Sequence, residues 1–417
     1  MHPHGTGRPA TLPDRSTRNG RQLERIFDMD KHTIRWCPTW TQAITDFGSD
    51  SDEPPFDDVT VRLSVPASLG GERVRIELSN QFGTEPVTIG RAAITVDGEV
   101  RALGFGQQSS IVLAPGESSH SDPIELVVRH DDELVVDLYL PLPTPYVSAN
   151  GFIFARSTAG DFAGAGVFPL EKGEIWVPGS GTPAGDGTGW SLPNGGPFLR
   201  AVEVEADPTA VVVCLGGSST AMGWPQFTAA LLPAEAQIAV LNRGIAGNRI
   251  RFDAPAATSS WGRAGVKRFD EDVLDVGASQ LVVAYNSNDW GLPGQATGMD
   301  EMPTLDDLIR AYEQLIARAA AAGIVTIVAT VTPLAPEMAG DKVREGLRLG
   351  LNDWIRTSGH PVADFDAAIR SHSEPWHLDP LYAAPDMTHP NINGEKRLAH
   401  TMAPLIMSQS VRLTRTV

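Results

Sequence analysis

The sequence predicts two domains of different class: an all-β sandwich or jelly roll, followed by an α/β domain folded as a three-layer α/β/α sandwich around a parallel sheet. Three observations carry this. The chain has 417 residues, beyond the roughly 250–300 at which a single core stops growing. Up to about residue 205, short stretches alternate apolar and polar side chains between turn residues, the period of half-buried strands. From about residue 208, uniformly apolar runs alternate with stretches of helical period, the pattern of buried parallel strands covered on both faces. The expected division is a disordered tail over 1–32, the β-sandwich over 33–205 and the α/β domain over 206–417.

Composition narrows the partners. There are 51 acidic against 33 basic residues, a formal charge of -18, and such a surface repels nucleic-acid phosphates and anionic membrane. Residues 1–25 are rich in Arg, His, Gly, Pro and Thr and hold no apolar run that could serve as a signal-peptide core. No later stretch reaches the ~18 continuous apolar residues of a membrane span. A soluble, cytoplasmic protein is expected. The two cysteines, Cys37 and Cys214, fall in different domains, so they read as thiols packed like small hydrophobes rather than as a disulfide. No cysteine cluster of metal-binding type is present, and no cofactor or metal is expected.

In the first domain, Val74, Ile76 and Leu78 alternate with charged neighbours across 73–78, and 59–65 and 87–96 behave similarly. Turn residues separate them at 69–71, 81–84 and 97–98. Residues 134–140 read as a strand partly buried on both faces. The Gly-, Pro- and Ser-rich 169–197 reads as a long loop, and 198–204 as a returning strand. Trp40, Tyr146 and Trp176 would suit a carbohydrate-binding surface, but core or interface packing is the preferred reading. The domain is expected to wall one side of a cleft.

In the second domain, the apolar run 211–215 meets Gly216 and Gly217, so a buried strand ends in a tight turn that presents Ser218 at the carboxyl edge of the sheet. Helices are expected over 224–232, 264–274, 305–322, 341–357 and 394–407. Strands are expected over 237–241, 281–285, 324–331 and 362–365. The clearest helix, 305–322, has Thr304 as cap and Asp307 three residues later, before a stripe including Leu308, Tyr312 and Leu315. Asn393 reads as the cap of the last helix.

A serine hydroxyl needs a positioned base to become a nucleophile. The best candidate is His389, with Asp386 three residues before it, since a carboxylate on a turn can hold one ring nitrogen while the other faces the hydroxyl. An oxyanion also needs donors, and the strands ending near 241 and 285 lead into turns that offer Gly247 as a backbone N–H and Asn288 as a side-chain amide.

These stretches together resemble the SGNH/GDSL hydrolase family, which carries a serine in a GDS turn, a glycine in a second block, an asparagine in a G-x-N-D block and a late D-x-x-H. All four blocks occur here in family order between Gly216 and His389. The resemblance implies Ser218 as nucleophile, His389 as base and Asp386 as its orienting partner. It also implies an oxyanion hole formed by the Ser218 N–H with Gly247 and Asn288. Some two-domain members carry an N-terminal β-sandwich, as this chain does. Two positions depart from the pattern: Gly217 stands where the family has aspartate, and Asn286 where it has glycine.

Other polar residues have blander readings. Asp289 is expected to brace a loop, and His372, His377 and Asp379 to lie on a surface loop. Met222, Trp224, Trp290 and Leu292 line an acyl pocket or pack in the core. The resulting expectation is a serine esterase acting on short-chain acyl or acetylated-sugar esters. The alternatives are an acyltransferase using the same acyl-enzyme, and a carbohydrate-binding protein on an impaired site.

Overall fold

The computed structural model describes residues 34–48, 55–151, 154–170, 195–338 and 340–415. The expected tail, Trp176 and most of the 169–197 loop lie outside them.

Two five-stranded antiparallel sheets form the N-terminal region. One orders the strands Arg35–Thr41, Leu199–Ala206, Gly71–Ser79 and Ile124–Val128, with Ser118–His120 also pairing Gly71–Ser79. The other orders Ala155–Arg156, Val59–Pro66, Glu133–Leu140, Arg91–Val96 and Glu99–Leu103. The period-2 pattern explains the packing: Val74, Ile76 and Leu78 share a core with Val61, Leu63 and Val65 from the opposite sheet. Their neighbours Arg73 and Arg75 turn outward onto Glu205 and Glu203 of the adjacent strand. Glu133–Leu140 is partly buried on both faces, as expected: on the second face Val135 and Tyr139 are half-buried and the buried Asp137 pairs with Arg62 at 2.7 Å instead of meeting water.

The stretch 87–96, expected as one strand, is two. Val87–Ile89 pairs with Ile111–Leu113, whereas Arg91–Val96 pairs with Glu133–Leu140. The switch falls at Gly90, where a Cβ would sit 3.0 Å from the Tyr139 ring. Trp40 and Tyr146 are 3% and 4% exposed, so neither presents a carbohydrate platform. Cys37 and Cys214 are both free and buried.

The C-terminal region is built on a five-stranded parallel sheet in the order Ile238–Gly244, Ala210–Gly216, Gln280–Ala284, Val325–Ala329 and Val362–Ala363. Alternate residues of its uniformly apolar strands face two separate cores. Val211, Val213 and Leu215 pack with Leu308, Tyr312 and Leu315 of helix Leu305–Ala321 and with Leu351 of helix Lys342–Thr357. Val212 and Cys214 pack with Trp224 of helix Trp224–Leu231 and with Leu398 and Met402 of helix Ile392–Arg415. This is the expected three-layer arrangement. Thr304 and Asp307 form the predicted capping box.

Two helix expectations are corrected. Residues 264–274 hold only a five-residue π-helical turn, Asp270–Leu274. The N–H groups of Gly265 and Val266 donate instead to the carbonyls of Arg249 and Ile250, which pulls this stretch out of a helix. The last helix begins at Ile392, and its cap is Asn391, whose Oδ1 accepts from Gly394 N–H at 2.9 Å; Asn393 lies already inside it.

The two regions meet along Ile238–Gly244, an edge strand of the parallel sheet. An open edge is a pairing hazard, and here the N-terminal region covers it. Ser68 Oγ accepts from Val240 N–H at 3.2 Å, and Arg243 Nη1 donates to the Gln42 carbonyl at 2.9 Å. Asn150 Nδ2 donates to the Gly244 carbonyl at 2.9 Å. Among the described residues, no helix is long and apolar enough to cross a membrane.

Candidate active site

Parallel strands ending together bring their following turns to one edge. After Ala210–Gly216 the chain turns directly into a one-turn helix, Ser218–Ala221, capped by Gly217. Gly216 has no room for a side chain: a Cβ would lie 2.1 Å from Thr220 Oγ1 and 2.4 Å from the Ala284 carbonyl. Thr220 Oγ1 donates to that carbonyl at 3.0 Å, so the serine turn is tied to the neighbouring strand. The Ser218 N–H opens the helical turn and has no intrahelical acceptor.

The late segment supplies the imidazole. Ala384 N–H donates to the His389 carbonyl and Met387 N–H to the Ala384 carbonyl, both at 2.8 Å, closing a tight loop. Met387 takes a left-handed conformation, φ 53°, unusual for a side chain of its size. The fold of this loop lets one carboxylate do three things. Asp386 Oδ1 accepts from the N–H groups of Thr388 at 3.0 Å and His389 at 3.1 Å, while Oδ2 lies 2.6 Å from His389 Nδ1.

A carboxylate accepts, so Nδ1 carries the ring proton and Nε2 is left as acceptor. Nε2 lies 2.8 Å from Ser218 Oγ. Residues 171 apart in sequence thus form a continuous carboxylate–imidazole–hydroxyl relay. Burial pushes the Asp386 carboxyl up. The bond and charge of His389 and the two backbone N–H groups outweigh it and leave the carboxyl below its ordinary value of 3.8.

Of the two donor candidates, Asn288 approaches the serine turn, and Gly247 lies in the second turn. Gly247 sits at φ 73°, a conformation that favours glycine, and a Cβ there would lie 2.4 Å from the Trp261 ring. Asn288 opens the one-turn helix Asn288–Gly291, and its Nδ2 donates to the Asn248 carbonyl at 2.9 Å, which joins the second and third turns. The same Nδ2 would be 3.1 Å from a Cβ placed on Gly217. Asp289 braces this junction as expected, accepting from the N–H groups of Ile250 at 2.7 Å and Arg251 at 3.1 Å. Burial raises its carboxyl to about 6, although both N–H groups act the other way.

Residues 214–397 match the model of the GDSL-like lipase/acylhydrolase family. The C-terminal domain is a GDSL-like lipase/acylhydrolase domain. Among solved structures, the chain is similar to an acetylxylan esterase from Geobacillus stearothermophilus, with 20% identity and a TM-score of 0.38 over 48% of this chain and 94% of that one. It is also similar to a GDSL-like lipase from Bacteroides thetaiotaomicron, with 20% identity and a TM-score of 0.35 over 49% and 89%. A carbohydrate acetylesterase from Sinorhizobium meliloti shows 14% identity and a TM-score of 0.37 over 48% and 99%. No curated protein matches the sequence.

The acylhydrolase domain also depends on residues that sequence reasoning missed. Arg268 is buried at the base of the turns: Nη1 donates to the Arg243 carbonyl at 2.8 Å, and Nη2 reaches Asn248 Oδ1 at 3.1 Å, Tyr285 Oη at 3.3 Å and the Gly216 carbonyl at 3.4 Å. One guanidinium, paired with Asp272, touches all three strand ends. Trp261 and Asn248 are further supports. Their partners lie far along the chain, and no local pattern reveals them.

Trp224 and Trp290, each 1% exposed, are core residues, not pocket lining. A cavity of about 230 Å³ opens at the seam between Ile44, Thr45 and Phe82 on one side and Ile245, Pro255 and Arg263 on the other; its lining includes neither Ser218 nor His389. Among the described residues, no group of three His, Cys, Asp or Glu side chains is placed to hold a metal ion.

Proposed function

We propose that this protein is a serine esterase in which Ser218 is the nucleophile, His389 the general base and Asp386 the residue that orients the imidazole. The Ser218 and Gly247 N–H groups with the Asn288 amide form the oxyanion hole. The carrying observation is the relay itself, with Ser218 Oγ 2.8 Å from His389 Nε2 and His389 Nδ1 2.6 Å from Asp386. On this reading the division between the domains falls in the link at 207–209, close to the expected 205/206 boundary.

In the reaction, Ser218 Oγ attacks the ester carbonyl while His389 Nε2 takes its proton, and Asp386 stabilises the resulting imidazolium. Charge developing on the carbonyl oxygen meets donors fixed by Arg268, Asp289 and the Asn248 carbonyl, so little reorganisation is needed. The imidazolium protonates the departing alcohol. Water then repeats the sequence on the acyl-enzyme.

His389 and Asp386 keep 21% and 28% of their side chains exposed. A relay this near the surface supports short acyl groups, including acetyl groups carried on sugars, whose bulk stays outside. The test is a panel of p-nitrophenyl esters of increasing acyl length beside acetylated xylosides, for native protein and Ser218→Ala, with products analysed with and without an added alcohol. Release of free acid that requires Ser218 and falls with acyl length supports the proposal. A Ser218→Ala protein as active as the native one overturns it, and acyl transfer to the alcohol in preference to water would make the protein a transferase.

A further inference from the structure

The two departures from the family pattern, Gly217 and Asn286, are in contact. A Cβ on Gly217 would lie 2.4 Å from Asn286 Oδ1 and 3.0 Å from its Cγ. The bare Cα of Gly217 is therefore the space in which the Asn286 amide sits. That amide places Nδ2 3.1 Å from Ser218 Oγ.

Hydrogen-bond accounting fixes which way the amide points. The single Ser218 hydroxyl proton is committed to His389 Nε2, an acceptor because Asp386 holds the proton on Nδ1. Oγ can then only accept from a second partner, so the amide nitrogen faces it. Asn286 Oδ1, turned towards Gly217, is buried and meets no hydrogen-bond partner among the described residues. Leaving a buried acceptor orphaned costs stability. The arrangement spends that on one contact, the N–H to the nucleophile.

We propose that Asn286 is a further catalytic residue, a donor to the nucleophilic oxygen itself, and that Gly217 is the cavity that admits it. The inference rests on Ser218 being the nucleophile. In the resting enzyme the donor holds Oγ in line with Nε2. Its larger effect comes in deacylation. There, water adds to the acyl carbon while His389 takes a water proton; the tetrahedral species then collapses by breaking the bond from carbon to Oγ. The electron pair goes to Oγ, which recovers its proton from His389 Nε2. A donor already aimed at Oγ stabilises that departing charge, beside the separate donors that serve the carbonyl oxygen.

Stopped-flow hydrolysis of p-nitrophenyl acetate separates the two halves, the burst reporting acylation and the steady rate deacylation. Asn286→Ala should slow the steady rate by about 10- to 100-fold, the size expected for a hydrogen bond to a charged atom, with a smaller effect on the burst and little change in binding. Asn286→Asp, of the same shape but without the donor, should do the same. Gly217→Ala should damage native protein by displacing the amide, yet add little to the loss already present in Asn286→Gly, because the space is then empty. Unchanged steady rates in both Asn286 variants, or independent and additive effects of Gly217→Ala and Asn286→Gly, would overturn the proposal. Ser218→Ala is run alongside: if it is inactive while the Asn286 variants behave like native protein, only this inference fails, and if it is active, the nucleophile assignment falls as well.

Discussion

The antiparallel sandwich and the parallel sheet use apolar residues in opposite ways. In Gly71–Ser79 the side chains of Val74, Ile76 and Leu78 are buried while Arg73, Arg75 and Glu77 between them meet ion partners, so the strand divides its sequence between core and solvent. In Ala210–Gly216 all seven residues are buried. Nothing along such a strand can do chemistry, and its polar functions are displaced to the turn where it ends. The sandwich is thus a stability element whose residues work by burial, whereas the sheet edge is a site whose residues work by geometry. The two are joined at Asn150, whose amide holds the carbonyl of Gly244 three residues before Gly247.

That contrast can be broken first where the expected effect is largest. Ser218→Ala and His389→Ala should each lower kcat on a p-nitrophenyl ester by on the order of 10⁴ to 10⁶, with the melting temperature nearly unchanged. Asn288→Ala should lower kcat by on the order of 10² to 10³. Leu63→Ala, inside the sandwich, should behave in reverse. It should cost about 2–5 kcal/mol in denaturant unfolding and leave kcat per folded molecule unaltered. A sandwich core variant that stayed stable but lost turnover would erase the distinction.

Asn150→Ala sharpens it. Losing one amide to a buried carbonyl should cost about 1–3 kcal/mol, and a fall in kcat with unchanged KM would show that the sandwich positions the Gly247 turn as well as covering an edge.

The smallest effect concerns pH. The Asp386 carboxyl lies below 3.8 in the folded protein, so its contribution to stability is fully present above the unfolded value and is lost as pH falls through the folded one. The stability gap between native protein and Asp386→Asn should therefore be flat from about pH 7 to 5 and shrink only below about 4. A gap that closes near neutrality would mean the carboxylate is not held by His389.

What the sequence revealed follows the same line. Thr304 with Asp307 was legible because a capping box is complete within four residues, and the meeting of Ser218 with His389 because a strand ends in glycines before the serine and a carboxylate stands three residues before the histidine. The break at Gly90 was not legible, since it is set by Tyr139 across the sheet. The helix expected over 264–274 failed because its N–H groups are claimed by Arg249 and Ile250, partners invisible to a local period. Arg268, the buried tie among three strand ends, carries no local signal because its partners are brought to it only by the fold. Asn391 was missed as cap because Asn393, two residues on, satisfies the same local rule.

The central claim is that a sheet-edge serine is activated by an imidazole from the far end of the chain. The most direct measurement is intact-mass and peptide mapping after treatment with a fluorophosphonate, for native protein and His389→Ala. A single adduct on Ser218, formed rapidly in the native protein and hardly at all without the imidazole, is the predicted result. An adduct on another residue, or equal labelling of Ser218 in both proteins, would contradict it.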